Sequence, residues 1–224
     1  MNPKAPKILN EIVEALKKSN LKAVTENTEG RVNSKKDEDK IITWLERQPQ
    51  FKNRIKGGVL RSFSDMVVVD YDGTEHVVNI KTSIGSSDNA FSKLGILWAL
   101  TDLSLEQYKE LKIANKISDT KFAELIIKHQ KDTARDYWYL SLDKKDFSHV
   151  IVRGVKQITH WGKNPTNNLQ IQWSKEHECE PNNCTFSEVF YNVITDGVFK
   201  CWAAKAGQWQ AAITYRNKNL KVNT

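Results

Sequence analysis

The sequence predicts an α/β (α+β) protein built on a mixed central β-sheet flanked by helices. Three observations carry the prediction. Two Val-rich alternating runs bracket Asp72-Gly73, apolar residues recur at helical spacing on both sides of that hairpin, and two further strand-like runs follow the second group of helices. A chain of 224 residues suits one domain, here residues 1–224.

The elements follow in order. Apolar residues at 8, 9, 12, 13 and 16 put one stripe on a helix over Ile8 to Lys18. Thr25 to Lys36 is polar and without periodicity, and reads as a loop. A second helix runs from Asp37 to Gln48, capped by Ser34 and stopped by Pro49. Its stripe is Ile41, Ile42 and Leu45; Glu38 falls on that stripe and Glu46 on its flank, and an inward-pointing carboxylate needs a reason. Ser62 to Tyr71 and His76 to Thr82 read as strands joined by a tight turn at Asp72-Gly73. Residues 85–88 form a loop and cap, and a helix follows from Asn89 to Leu100. Another covers Leu105 to Lys131 with an interruption near Ser118. Asp136 to Leu142 and His149 to Val155 are further strands around the polar connection 143–146. Thr159 to Asn168 reads as a turn-rich loop that ends in the strand-like run Leu169 to Trp173. A long amphipathic helix over Phe186 to Trp202 closes the pattern, followed by a polar, basic tail from Arg216.

Composition narrows the classes. Hydrophobic residues make up 39% and charged residues 27%, an ordinary globular balance rather than a disordered or fibrous one. No apolar run reaches the length of a membrane span and no apolar signal region follows Met1 to Lys7, so the expectation is a cytoplasmic protein with no membrane partner. The net charge of +7 favours a polyanionic partner. Three Cys are too few, and odd in number, for a disulfide framework.

The chemistry concentrates on the hairpin. Side chains alternate along a strand, so Asn79 and Lys81 share one face while Val78 and Ile80 take the other, and Asp65 opens the partner strand. Pairing brings Asp65, Asn79 and Lys81 to one end of the sheet. A carboxylate and an amide oxygen are hard ligands suited to Mg²⁺, and an ammonium beside them can orient or help deprotonate an attacking water. In outline this is a site for phosphodiester hydrolysis, with Asp65 and Asn79 as metal ligands.

Ser64-Asp65, followed by Asn79-Ile80-Lys81, resembles the PD-(D/E)xK signature of type II restriction endonucleases. The resemblance extends through residues 62–69, 79–83 and 87–95, and to Asp136-Tyr137-Trp138-Tyr139-Leu140 and the segment from Asn164 to Trp173. Ser64 stands where that family usually has Pro, and Asn79 where it usually has Asp or Glu. The second departure removes a negative charge, so three readings stay open: the amide oxygen suffices, another carboxylate supplies the charge, or the copy is inactive. Glu38 is the first choice of substitute, because related enzymes often carry an extra acidic residue on the preceding helix, and Glu46 is the second. The resemblance implies a restriction-endonuclease-like domain. It also implies a Mg²⁺-dependent site-specific deoxyribonuclease that cuts double-stranded DNA at a short palindromic site, in a restriction-modification system, with catalytic Asp65, Asn79, Lys81 and Glu38. Symmetric cutting implies a homodimer. The alternatives are a nuclease of the same superfamily used in repair or recombination, and a basic DNA-binding protein whose nuclease centre has decayed at Asn79. Set against all three is the plainer possibility that Asp65 caps a strand and Lys81 reaches from a sheet face to water.

Two other groups of residues are candidates. His177, Cys179, Cys184 and Cys201 could hold a structural zinc, although their spacing matches no familiar knuckle and a polar loop with incidental Cys is the preferred reading. Residues 159–184 are the expected DNA-recognition region. There Lys163, Asn164, Asn167, Asn168, Gln170 and Gln172 offer amides that pair with adenine in the major groove and a Lys that serves guanine or phosphate.

Overall fold

The computed structural model describes residues 2, 4–24, 30–57, 64–83, 89–90, 93–113, 117–164, 168–181, 185–191, 203–207, 210 and 214. Helices α1 (Lys7–Lys17) and α2 (Gly30–Glu46) lead into β1 (Ile55–Gly57), β2 (Met66–Val69) and β3 (Glu75–Ser83). A two-residue strand β4 (Asn89–Ala90) precedes α3 (Lys93–Leu100), α4 (Leu105–Ile113) and α5 (Asp119–His129). Then come β5 (Tyr137–Asp143), β6 (Val150–Gly154), β7 (Trp161–Asn164), β8 (Asn168–Ile171), α6 (Trp173–Glu178) and α7 (Phe186–Tyr191).

The main sheet has the order β1-β2-β3-β5-β6. β1, β2 and β3 form an antiparallel meander, β3 pairs in parallel with β5, and β6 returns antiparallel. Parallel pairing requires a long crossover, and α3, α4 and α5 supply it. The expected mixed sheet flanked by helices is therefore the observed architecture. Val78 and Ile80 pack with Ile8, Ile12, Ile41 and Leu45 from α1 and α2, whereas Val77 packs on the other side with Ile96, Leu97, Phe122 and Tyr137. The sheet thus divides two hydrophobic clusters, and period-2 alternation decides which residue enters which.

The hairpin is fixed by its turn. Gly73 has φ of +87°, and the Asp70 N–H donates to the Thr74 carbonyl at 2.8 Å while the Gly73 N–H donates to the Asp70 carbonyl at 3.1 Å. On the far face α3 lies so close to β5 that a Cβ on Gly95 would stand 2.7 Å from the Tyr137 ring.

Four expectations need correction. α2 starts at Gly30, not Asp37, so the expected loop is helical from residue 30 onward. Ser34 is not its cap: its Oγ accepts a hydrogen bond from Lys144 Nζ at 3.1 Å, and Lys35 pairs with Glu38 and Asp39 one turn on, so side-chain contacts support a polar helix that has no apolar stripe of its own there. Asn89 does not begin a helix; Asn89 and Ala90 pair with Ile171 and Gln170, and this pairing with a distant strand of the same chain overrides local propensity. Third, β2 begins at Met66, with Ser64 and Asp65 just outside it; residues 62–63 lie outside the described residues. Finally, the expected loop after Thr159 is largely a hairpin, β7 against β8, which with β4 makes a second sheet of order β4-β8-β7. Of the long closing helix only Phe186–Tyr191 is described, and the tail from Arg216 lies outside the described residues.

Candidate functional site

Asp65 stands one residue before β2, and the register that pairs Met66 with Val78 carries on to set Asp65 across from Asn79. Its N–H donates to the Val78 carbonyl at 3.0 Å, and its Oδ2 accepts the Ile80 N–H at 2.7 Å. The side chain thereby replaces the ladder partner that β2 would have offered had it continued. Burial raises the Asp65 carboxyl above its ordinary range, opposed by the Ile80 hydrogen bond and by the Lys81 and Lys35 charges.

Glu38 reaches the same place from α2. Its side chain is 17% exposed and ion-pairs with Lys35 at 3.6 Å. Burial, followed by repulsion from Asp65, pushes its carboxyl up to about 6, against the attraction of Lys81 and Lys35. Two carboxylates, one half-buried helix-face glutamate and one strand-end aspartate, thus share a site with two ammonium groups. Glu46 does not join them: it is exposed, and its Oε1 stands 3.9 Å from where a Cβ on Gly57 would lie.

Asn79 stands across the ladder from Asp65 in an unusual state. It is buried, and its Oδ1 has no hydrogen-bond partner. A buried carbonyl oxygen without a donor costs on the order of 1–3 kcal/mol. On the opposite edge of β3, Asn79 pairs with Tyr139 and Lys81 with Ser141.

Lys35 was not among the residues anticipated from the sequence, although its i,i+3 spacing to Glu38 is the signal that could have found it. His177, anticipated only as a zinc ligand, has its Nε2 3.0 Å from Ser141 Oγ. Cys179 is a free thiol, and its backbone carbonyl accepts from Arg153. Cys184 and Cys201 lie outside the described residues, and among the described residues no group of three or more His, Cys, Asp and Glu side chains could hold a metal. Asp65 and Glu38 are accordingly a pair of carboxylates with an amide, not an all-acidic cage.

The expected recognition residues are split. Lys163 pairs with Leu169 and Asn164 with Asn168 along the β7–β8 hairpin, and Asn167 lies outside the described residues. Gln170, expected to offer its amide to a base, is instead buried at 7% exposure between Gly162 on β7 and Ala90 on β4. The Gln172 N–H donates to the His160 carbonyl at 2.9 Å just ahead of α6. The hairpin is clasped at its root by buried Glu176, whose Oε1 accepts the N–H groups of Thr159 at 2.9 Å and His160 at 2.7 Å while Arg153 Nε lies 3.7 Å from Oε2.

Among the described residues no helix is long and apolar enough to cross a membrane. Comparison with protein-family models and with curated proteins yields no match to this chain.

Proposed function

We propose that the chain is a Mg²⁺-dependent type II site-specific deoxyribonuclease that cuts duplex DNA at a short palindromic site as a homodimer. The observation that carries the reading is the convergence of Glu38, Asp65 and Lys81, whose charges act on one another, at the strand end where Asn79 stands across the ladder from Asp65. The metal fits these residues. Two half-buried carboxyls whose negative forms are disfavoured and one orphan amide oxygen are what a hard divalent cation would satisfy, so Asp65, Asn79 and Glu38 are its proposed holders. When bound, Mg²⁺ supplies charge neutralisation at a phosphodiester and lowers the pKa of water.

The chain's own groups divide the remaining work. Lys81, on the same strand face as Asn79, orients the attacking water, and its positive charge favours loss of that water's proton to solvent. Asp65 is held by the Ile80 amide, so its free oxygen keeps a fixed bearing. Lys35 balances the carboxylate charge and holds Glu38 in place. The β7–β8 hairpin, rooted on Glu176, is the proposed base-reading arm through Asn164, Asn167, Asn168 and Lys163.

Plasmid incubated with protein and Mg²⁺, with a chelator control, tests the reading. Metal-dependent cutting into discrete bands is expected. A smear would favour a repair or recombination nuclease, and tight binding with no cutting would favour a DNA-binding protein decayed at Asn79.

A further inference from the structure

The segment between α1 and α2 faces the turn between β5 and β6 across an open groove of about 790 Å³, lined by residues 19–23 and 144–147. The first wall alternates: Leu21 and Ala23 pack onto the cluster beneath, while Asn20 and Lys22 are exposed. Two α2 side chains pin it, Lys40 Nζ donating to the Lys22 carbonyl at 2.8 Å and Asp37 Oδ1 accepting the Val24 N–H at 2.7 Å. The second wall is as well fixed. Phe147 is buried, Asp143 Oδ1 accepts the Lys145 N–H at 2.8 Å, and Asp146 Oδ1 accepts the Ser148 N–H at 2.9 Å. Lys144 turns inward to Ser34 and to buried Asp37, whose carboxylate is 3.7 Å away, and leaves Lys145 exposed.

The groove is cationic and its charge is unmatched. Lys22, Lys40 and Lys145 have no ion-pair partner among the described residues. The one carboxylate in the lining, Asp146, is engaged by its own turn and lies 3.7 Å from the His149 ring. The groove also opens at the same end of the sheet as the carboxylate cluster. Lys81 is level with Ser141 and Ser83 with Asp143, the residue that precedes the lysine turn. On α2, consecutive residues serve the two places, Asp37 the groove and Glu38 the cluster.

We infer that this groove holds the phosphodiester backbone of duplex DNA alongside the bond on which the Glu38–Asp65–Lys81 cluster acts, an inference that rests on the proposed function. Lys22 and Lys145 contact phosphate, Lys40 adds charge behind Lys22, and Lys144 holds the turn to α2. Contacts of this kind carry no sequence information and release condensed counterions.

Anisotropy of a labelled mixed-sequence duplex, titrated across salt with Ca²⁺ in place of Mg²⁺ so that the duplex stays intact, tests the inference. Lys22→Ala and Lys145→Ala should each weaken binding and make the log K against log salt slope shallower by about 0.9, whereas Lys128→Ala on α5 should match wild type. Thermal unfolding of all three variants should be unchanged, since each side chain is exposed. Wild-type affinity and slope in both groove variants would overturn the inference, and if the same wild type still cuts plasmid the nuclease reading survives. Lysine-dependent binding by a wild type that never cuts would instead remove the nuclease reading and keep the groove as a DNA surface. Preference for duplex RNA in competition would overturn DNA as its occupant, and no duplex binding at low salt would overturn both.

Discussion

Asp65 Oδ2 accepts the backbone N–H of Ile80 at 2.7 Å, which ties the carboxylate to the one amide lying between Asn79 and Lys81. The relationship makes the aspartate part of the strand ladder and leaves its second oxygen outside it. Replacing Asp65 therefore disturbs both the hairpin end and the cluster, so the surrounding residues give cleaner tests.

Lys81→Ala should keep duplex affinity and lose cleavage by about 10²- to 10³-fold, the usual range for removing one charged group that stabilises a developing negative charge. Plasmid cutting and duplex binding measured on the same preparation decide it. Near-normal cutting would take Lys81 out of the chemistry.

Asn79→Asp sets a third carboxylate beside Asp65 and Glu38, two groups whose charged forms burial already disfavours. The metal-free variant should melt below wild type, and the rise in melting temperature on adding Mg²⁺ should be larger than in wild type, with cutting retained. Glu38→Ala should have the opposite signature, a smaller Mg²⁺ response and crippled cutting. Equal Mg²⁺ responses in all three proteins would remove the cation from this cluster.

Gly95→Ala should destabilise the protein by about 1–3 kcal/mol, the range for overpacking a core. The added methyl would stand 2.7 Å from the Tyr137 ring, and neither α3 nor buried Tyr137 has room to retreat. Denaturant unfolding reads the change directly.

Asp136 supplies a pH test. Its carboxyl is enclosed, with Tyr137 N–H donating to Oδ1 at 2.7 Å, and burial pushes its pKa up to about 7 despite the Lys156 charge. A carboxyl whose folded pKa is raised favours the native state fully below its unfolded pKa, and that contribution is lost as pH rises through the folded value. Between about pH 4 and pH 7, wild type should lose stability relative to Asp136→Asn. Parallel melting curves for the two proteins across that window would show that Asp136 does not titrate there.

The parts legible from sequence are those set by near neighbours. Alternation and the Asp72-Gly73 turn defined the hairpin, and helical phase alone turned Glu38 toward the sheet. What the sequence concealed depends on distant partners. The first turns of α2 are polar and hold because Ser34 and Asp37 meet Lys144 from the β5–β6 turn. Asn89 and Ala90 are strand only because β8 comes alongside, and Gln170 is buried for the same reason. Neither is visible in local pattern. The orphan oxygen of Asn79 is likewise invisible until burial and hydrogen bonds are both known.

The parallel seam between β3 and β5 bears on how the chain is made. Glu75–Ser83 emerges during synthesis well before Tyr137–Asp143, with the whole helical crossover still to come. Until then β3 is an edge strand of the nascent sheet, its ladder groups on one side unsatisfied and its Val77, Val78 and Ile80 part-exposed, which invites pairing with another chain. Chains that end before Tyr137 should therefore collect in aggregates, and co-expression of the missing segment should return them to solution by closing that edge.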